Sequence, residues 1–484
     1  MNQELVQLRD ILANFDASVS HAASGHDRPK AGEIYAPEHH AGALDPHVSL
    51  VLGARGSGKS FWAGVLGHDD TREMATEAYP NLGLDKIVVK FGFIGQEGSG
   101  SVSRETIDSL VPEGNEQQAA PLLWRAVVLR AIKSALALPE APPIRIKNLI
   151  QDYKDSEDWE QACTESDATL VLKGKTVLVL FDALDVLAFE HGRLRKLLDA
   201  LLQVTWSMRS YRAIRLKLFL RDDQVHQLGL RFIELPKLLA GATRLYWIGT
   251  DLYGMLFSRL ADQQGEMRPF DNLLHHAGLP CIPSIPSLRK TWVLSHDKKA
   301  QAQLFTLFAG QFMGRSHKKG RTYDWPLRHL SDGHNEVTPR SFMALMINAA
   351  KHLPKPEETI ITAEGIRHGL REASKIRVDQ LAREFPWITR VLVPLARLQV
   401  PCSTSQIMHR WQETGTYQAV RKLHEKQQFA LPFTSNDEKE VAEELLLTLK
   451  IIGVLMERGD GRYDMPDLFR VAARLLKKGG VSPT

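Results

Sequence analysis

Cysteine is scarce: Cys163, Cys281 and Cys402 are the only three in 484 residues, they lie far apart, and no CxxC pair occurs. A disulfide framework and a cysteine-rich zinc module are thereby excluded, and the expected compartment is reducing. No apolar run reaches the about 18 residues that crossing a bilayer requires. The opening segment, Met1 to Val19, sets Leu5, Leu8, Leu12, Phe15 and Val19 at helical spacing among charges, where a signal peptide needs a continuous apolar stretch. A cytoplasmic protein without membrane contact is expected, with an amphipathic N-terminal helix that packs on its own body or docks a partner. A one-sided charge is also missing. Sixty-one Lys and Arg against 57 Asp and Glu leave +4, a surplus too small to announce a nucleic-acid binder, so charge must be read locally. The length exceeds what one core supports and suits two to four domains.

Against this plain background stands VSLVLGARGSGKS, Val48 to Ser60. Gly53-Ala-Arg-Gly-Ser-Gly58-Lys59-Ser60 fits the phosphate-loop pattern GxxxxGK[ST] without mismatch, between a β-like run and a helical segment, Phe61 to Leu66. Glycines let backbone N–H groups curl around a β-phosphate, and the following helix points its positive end at the anion. Gly53, Arg55, Gly56, Ser57, Gly58, Lys59 and Ser60 are therefore the candidate ATP contacts. Lys59 is expected at the β- and γ-phosphates and Ser60 at Mg2+. Such a loop needs a second metal-holding acid at the end of a buried strand, and Thr176 to Phe181 followed by Asp182 supplies it. Asp185, three positions on, is the candidate for orienting the attacking water, with helix capping as its alternative.

Ile87 to Phe93, Ile214 to Leu220 and Arg244 to Ile248 read as further strands, making five with the loop on the first. Arg221, at the end of KLFLR, falls where a polar residue can touch a γ-phosphate. Its alternative is an ion pair with Asp222 or Asp223. The fold class expected is α/β: a phosphate-loop NTPase core with a parallel sheet, a helical lid and a C-terminal winged-helix-like domain. The boundaries expected are 1–30 for the N-terminal helix, 31–260 for the core, 261–370 for the lid and 371–484 for the last domain. Between the second strand and the acid strand an excursion, Gly95 to Lys175, carries loops around a helix at Pro121 to Leu136.

With these residues assembled, the chain resembles the STAND-type and KAP-type branch of AAA-related ATPases, many of which serve bacterial anti-phage defence. LVLFDALDVL is similar to the acid motifs of NACHT and KAP ATPases in its spacing of Asp182 and Asp185, and LFLRDD resembles their strand-then-arginine sensor. Thr338-Pro339-Arg340 is similar to the proline–arginine helix start of the lid in origin-recognition and STAND ATPases, which implies that Arg340 faces the γ-phosphate. Thr338 suits an N-cap and Pro339 the first helical position. The segment before the loop implies an adenine pocket, with Tyr35 and His39 as stacking candidates. The chain departs from these families at Ala183, where KAP ATPases carry a second Asp, and at Val186, where NACHT ATPases carry Glu. Slow hydrolysis is the consequence expected.

Near the C-terminus, helices around Trp387 to Leu398, Thr404 to Thr414 and Asp437 to Lys450 precede a hairpin signal at Asp460-Gly461. That pattern reads as a winged helix, but its third helix opens with acids that repel phosphates. Arg315 to Arg321 is the most basic short run in the chain, read as a solvated loop or as a phosphate donor. The reading reached is an ATP-dependent switch acting as a homo-oligomer with an effector partner. A DNA-binding ATPase of the loader type is the alternative, nucleic acid being possible but not favoured.

Overall fold

Runs rich in Val, Leu and Ile make the strands of one unit. In the computed structural model, which describes residues 2–15, 27–96, 100–138, 140–188, 190–227, 229–284, 286–427 and 429–483, they are β1 (Leu50–Gly53), β2 (Ile87–Phe93), β3 (Thr176–Phe181), β4 (Ile214–Arg221) and β5 (Thr243–Leu245). They form one sheet in the order β2-β3-β4-β1-β5, and every pairing is parallel. A parallel sheet is covered on both faces, so β3, well inside it, is apolar at successive positions rather than at alternate ones. In β3, Val177, Val179 and Phe181 enter a core with Trp124, Val128, Leu197 and Leu201. Leu178 and Leu180 enter a second core with Trp62, Val65 and Leu66. The first is built by the helices Glu116–Leu136 and His191–Ser207, the second by the helix Lys59–Gly67.

Two strands are shorter than the sequence predicts. β1 begins at Leu50; before it the Val48 carbonyl accepts from the Lys217 ammonium at 2.7 Å and the Ser49 carbonyl from the Leu218 N–H at 2.8 Å. Lys217 is fully buried in β4, and burial lowers its pKa to about 7. β5 ends at Leu245, short of Ile248. The excursion after β2 is more ordered than loops around one helix: it carries helices at Arg104–Leu110, Glu116–Leu136, Ile146–Asp152 and Ser156–Leu172.

Contacts sort the chain into two units, Ala22–Leu245 with Ile285–Lys290, and Met1–His21 with Tyr246–Ser284 and Thr291–Thr484. The second unit is helical. Its helix Asn2–Ala13 buries Leu5, Leu8 and Leu12 against the helices Pro269–His276 and Pro339–Lys351. The buried Arg9 guanidinium donates to the carbonyls of Ile360 at 2.9 Å and Thr359 at 2.8 Å. The N-terminal helix thus packs on its own body. Farther along come helices at Thr404–Glu413, Thr416–Gln427 and Glu438–Ile451, the second of them not anticipated. A short antiparallel hairpin of Met456–Glu457 and Tyr463–Asp464 follows, turning at Asp460 and Gly461.

Trp124 ties the sheet unit together. It is fully buried, donates from Nε1 to the Leu197 carbonyl at 2.9 Å and sets its ring edge-to-face with Phe181 at 5.8 Å. Trp124→Ala is expected to cost about 3–5 kcal/mol, read as a lowered midpoint in urea unfolding; a cost under about 1 kcal/mol would contradict this packing.

Candidate phosphate-binding site

Parallel strands deliver their C-terminal ends to the same edge of a sheet, where ligands of open α/β sheets bind. Here Gly53 lies opposite Arg221 on one side and Leu245 on the other. Phe181 lies opposite Phe93 and Leu218, and the Asp182 N–H donates to the Phe93 carbonyl at 2.8 Å. Because β4 runs between β1 and β3, Arg221 leaves the sheet between the glycine loop and Asp182.

The loop's glycines meet steric demands. A Cβ on Gly53 would lie 2.5 Å from Ser57 Oγ and 3.2 Å from the Leu245 carbonyl. Gly58 has φ 105° and caps the helix Lys59–Gly67 from the left-handed region, where other residues are strained. Lys59 Nζ donates to the carbonyls of Gly53 at 2.8 Å and Ala54 at 2.9 Å, so the ammonium sits inside the curl of the loop. Desolvation there lowers its pKa to about 8, assisted by Arg221 and opposed by Asp182, Asp222 and Asp223. Arg55 is half-buried at the loop, and Ser57 is buried within it.

Asp182 is 2% exposed. Burial pushes its carboxyl pKa up, while the nearby Ser60 hydroxyl, the Ala183 N–H and the charge of Lys59 oppose the rise. Its Oδ2 is buried without a hydrogen-bond partner. A buried carboxylate oxygen lacking a donor, beside a serine hydroxyl, fits a hard cation such as Mg2+. Among the described residues no group of three or more His, Cys, Asp or Glu could hold a metal. A cation here would therefore take its other ligands from phosphate and water, as Mg2+ commonly does.

Ala183, directly after the acid, has φ 53°, a left-handed conformation unusual for alanine. The turn it makes leads into the short 3₁₀ segment Leu184–Val186, which carries Asp185. Asp185 Oδ2 stands 3.7 Å from the Arg221 guanidinium. Arg221 is also gripped by Asp223, with Nε to Oδ1 at 2.9 Å and NH2 to Oδ2 at 2.5 Å. Burial alone would raise the Asp223 carboxyl; the Arg221 charge overrides it and holds it below the usual range. The ion pair weighed for Arg221 is thus present, and it shares the arginine with Asp185.

Lys59, Ser60, Asp182, Asp185 and Arg221 are therefore brought to one edge of the sheet unit. Arg340 belongs to the helical unit, in the first turn of Pro339–Lys351, where Thr338 Oγ1 accepts from the Ser341 N–H at 3.3 Å. Tyr35 and His39 are half-buried in a segment joined to the Lys59–Gly67 helix by the Trp62 Nε1–His40 Nδ1 bond of 3.3 Å, and the His39 ring stands 4.7 Å from that of His40. Two supports escape the motif reading. Gln224 Oε1 accepts from the Arg221 N–H at 2.9 Å, and Arg244 pairs with Asp222 at 3.1 Å. The first was legible in RDDQ, since a Gln three residues after a helix start reaches back to the chain there.

The depressed Lys59 pKa has a sign. Free protein loses the ammonium as pH rises through about 8, and only the ammonium attracts phosphate, so triphosphate affinity should fall about tenfold between pH 7 and pH 9. Titration of a fluorescent ATP analogue across that range checks it; an affinity flat across the window would place the ammonium away from the phosphates.

Compared with protein-family models and with curated proteins, the chain matches none.

Proposed function

We propose that this protein is an ATP-binding and slowly hydrolysing switch of the STAND/KAP-like, AAA-related class, in which nucleotide drives a change of conformation or assembly, and that it serves a bacterial anti-phage defence system. The observation that carries the reading is the cluster at one sheet edge: the Lys59 ammonium inside the glycine loop with Ser60 next to it, the buried Asp182 with its unpartnered Oδ2, and Arg221 on the strand between them.

In this reading the loop's N–H groups and the start of the Lys59–Gly67 helix receive the phosphates. Lys59 exchanges the Gly53 and Ala54 carbonyls for phosphate oxygens. Ser60 and the unpartnered Oδ2 of Asp182 would hold Mg2+, which would supply positive charge to neutralise the charge that develops on the phosphates. Asp185 orients the attacking water and Arg221 senses the γ-phosphate. Both are engaged before nucleotide arrives, by each other at 3.7 Å and by Asp223. With Ala183 and Val186 where related ATPases carry acids, a tied-up Asp185 supports slow turnover. Arg340 keeps the reporter role that the resemblance implies, the C-terminal segment its winged-helix-like protein-contact role, and a homo-oligomer with an effector partner the output.

A DNA loader acting through the hairpin has less support. Arg458 pairs with Asp464 at 3.4 Å and Arg462 with Asp460 at 2.7 Å, and the preceding helix opens with Glu438 and Glu440. These groups offer DNA little uncompensated positive charge.

Four variants separate the roles. Lys59→Ala is expected to abolish ATP binding without unfolding, and unchanged affinity there would sink the reading. Asp182→Ala should lose Mg2+-dependent binding, whereas Asp185→Asn should bind and lose about 100-fold in turnover. Sedimentation with a non-hydrolysable ATP analogue should reveal a changed assembly state that Arg340→Ala loses while still binding nucleotide. An unchanged profile together with strong stimulation of ATPase by DNA would promote the loader.

A further inference from the structure

The most basic short run of the chain has no part in the site above. Arg315 to Arg321 lies in the helical unit, in a stretch from Gly310 to Thr322 that contains no acid. Its backbone is tied. The Met313 N–H donates to the Gly320 carbonyl at 2.9 Å and the Thr322 N–H to the Gln311 carbonyl at 3.2 Å. Phe312 and Arg321 form an antiparallel bridge, and a 3₁₀ turn spans His317–Lys319. At the base of this loop, the Arg367 guanidinium donates to the Met313 carbonyl.

On that closed frame Arg315, His317, Lys318, Lys319 and Arg321 are all exposed. No ion pair among the described residues engages any of these side chains, in contrast to the hairpin arginines, which are both paired. The nearest helix adds to the imbalance: Arg367 and Arg371 share the one carboxylate of Glu364, at 2.9 and 3.2 Å. Arg315, Lys318, Lys319 and Arg321 thus share one seven-residue loop that carries no acid, and Asp324, three residues on, is paired with Lys298 at 3.2 Å. Like charges held this close repel one another and are relieved by a polyanion that displaces its own counterions in binding.

We propose that the Arg315–Arg321 loop is a docking surface for the phosphate backbone of nucleic acid, read without regard to sequence, and that whatever nucleic-acid affinity this protein has resides there and not in the C-terminal hairpin. The preference for duplex follows from two features. Duplex DNA carries the denser line of charge. Tyr323 and Trp325, just after the loop, are buried and Phe312 within it is half-buried, which leaves the exposed His317 as the one open ring of the loop and gives unpaired bases little to stack on. Binding is therefore electrostatic, weak at physiological salt and independent of the nucleotide site.

The test is fluorescence anisotropy of the full-length protein with a labelled duplex of about 30 base pairs and a single strand of equal length, across about 50 to 200 mM salt, where a contact this small is measurable. Four phosphate contacts give a slope of log K against log salt of about −3 to −4 on duplex. The quadruple variant Arg315→Gln, Lys318→Gln, Lys319→Gln, Arg321→Gln should lose at least about tenfold at the lowest salt and flatten the slope toward zero. The double variant Arg458→Gln, Arg462→Gln should bind as the parent does. Thermal melting verifies that each variant is folded, and the single substitution Lys318→Gln, at an exposed side chain, should reduce the slope by about 1. Absence of binding at low salt would overturn the proposal, as would loss in the hairpin variant, unchanged binding in the loop variants, or equal competition by polyglutamate, which would assign the loop to an acidic protein instead.

Discussion

Strand direction governs this molecule's chemistry. Five parallel strands must end on one edge, and in the order β2-β3-β4-β1-β5 that edge receives the glycine loop after β1, Asp182 after β3 and Arg221 at the end of β4. Residues far apart in the chain become neighbours because a ladder register sets them there: Gly53 opposite Arg221, Phe181 opposite Leu218. The sheet can do this only because both faces are covered, which is why β3 is apolar at successive positions and why Trp124 and Trp62 sit on opposite sides of it.

At that edge the controlling force is desolvation. Lys59 is held by carbonyls within a curl too tight for a Cβ at Gly53, and its ammonium is destabilised accordingly. Asp182 is pushed in the opposite direction by the same burial. Each group is held in an environment that a bound anion and a bound cation, respectively, would relieve. Arg221 and its two carboxylates behave differently: they satisfy one another, so their charge is spent internally until something outcompetes Asp223 and Asp185. Ligand-seeking and self-satisfied charges thus coexist on one edge.

The same distinction separates the basic groups elsewhere. Arg9 and Arg470 are buried and donate to backbone carbonyls, where they act as struts. Arg458 and Arg462 are cancelled by acids of their own hairpin. The 315–321 loop combines exposure, a backbone closed by hydrogen bonds and four cations outside every ion pair among the described residues. A net charge of +4 hides this difference completely.

What the sequence determined by itself was local: the glycine loop, the apolar strand ending in Asp182, the strand ending in Arg221, and the Thr338–Pro339 helix start. Each is written within a dozen residues and is set by backbone sterics, strand burial or capping. It also carried the α/β class with a parallel sheet, since apolar runs alternate with helical ones. What only the tertiary structure decided was pairing across distance. No spacing in the sequence says that Ser60 comes beside Asp182, that Arg221 also reaches Asp185, that Lys217 bonds the Val48 carbonyl, or that the hairpin arginines are neutralised while the loop cations are not. The additional helices of the excursion were missed for a related reason. Segments such as Ser156–Leu172 bury only Trp159, Cys163 and Leu170, so their apolar period is faint until a neighbouring helix supplies the surface that it covers.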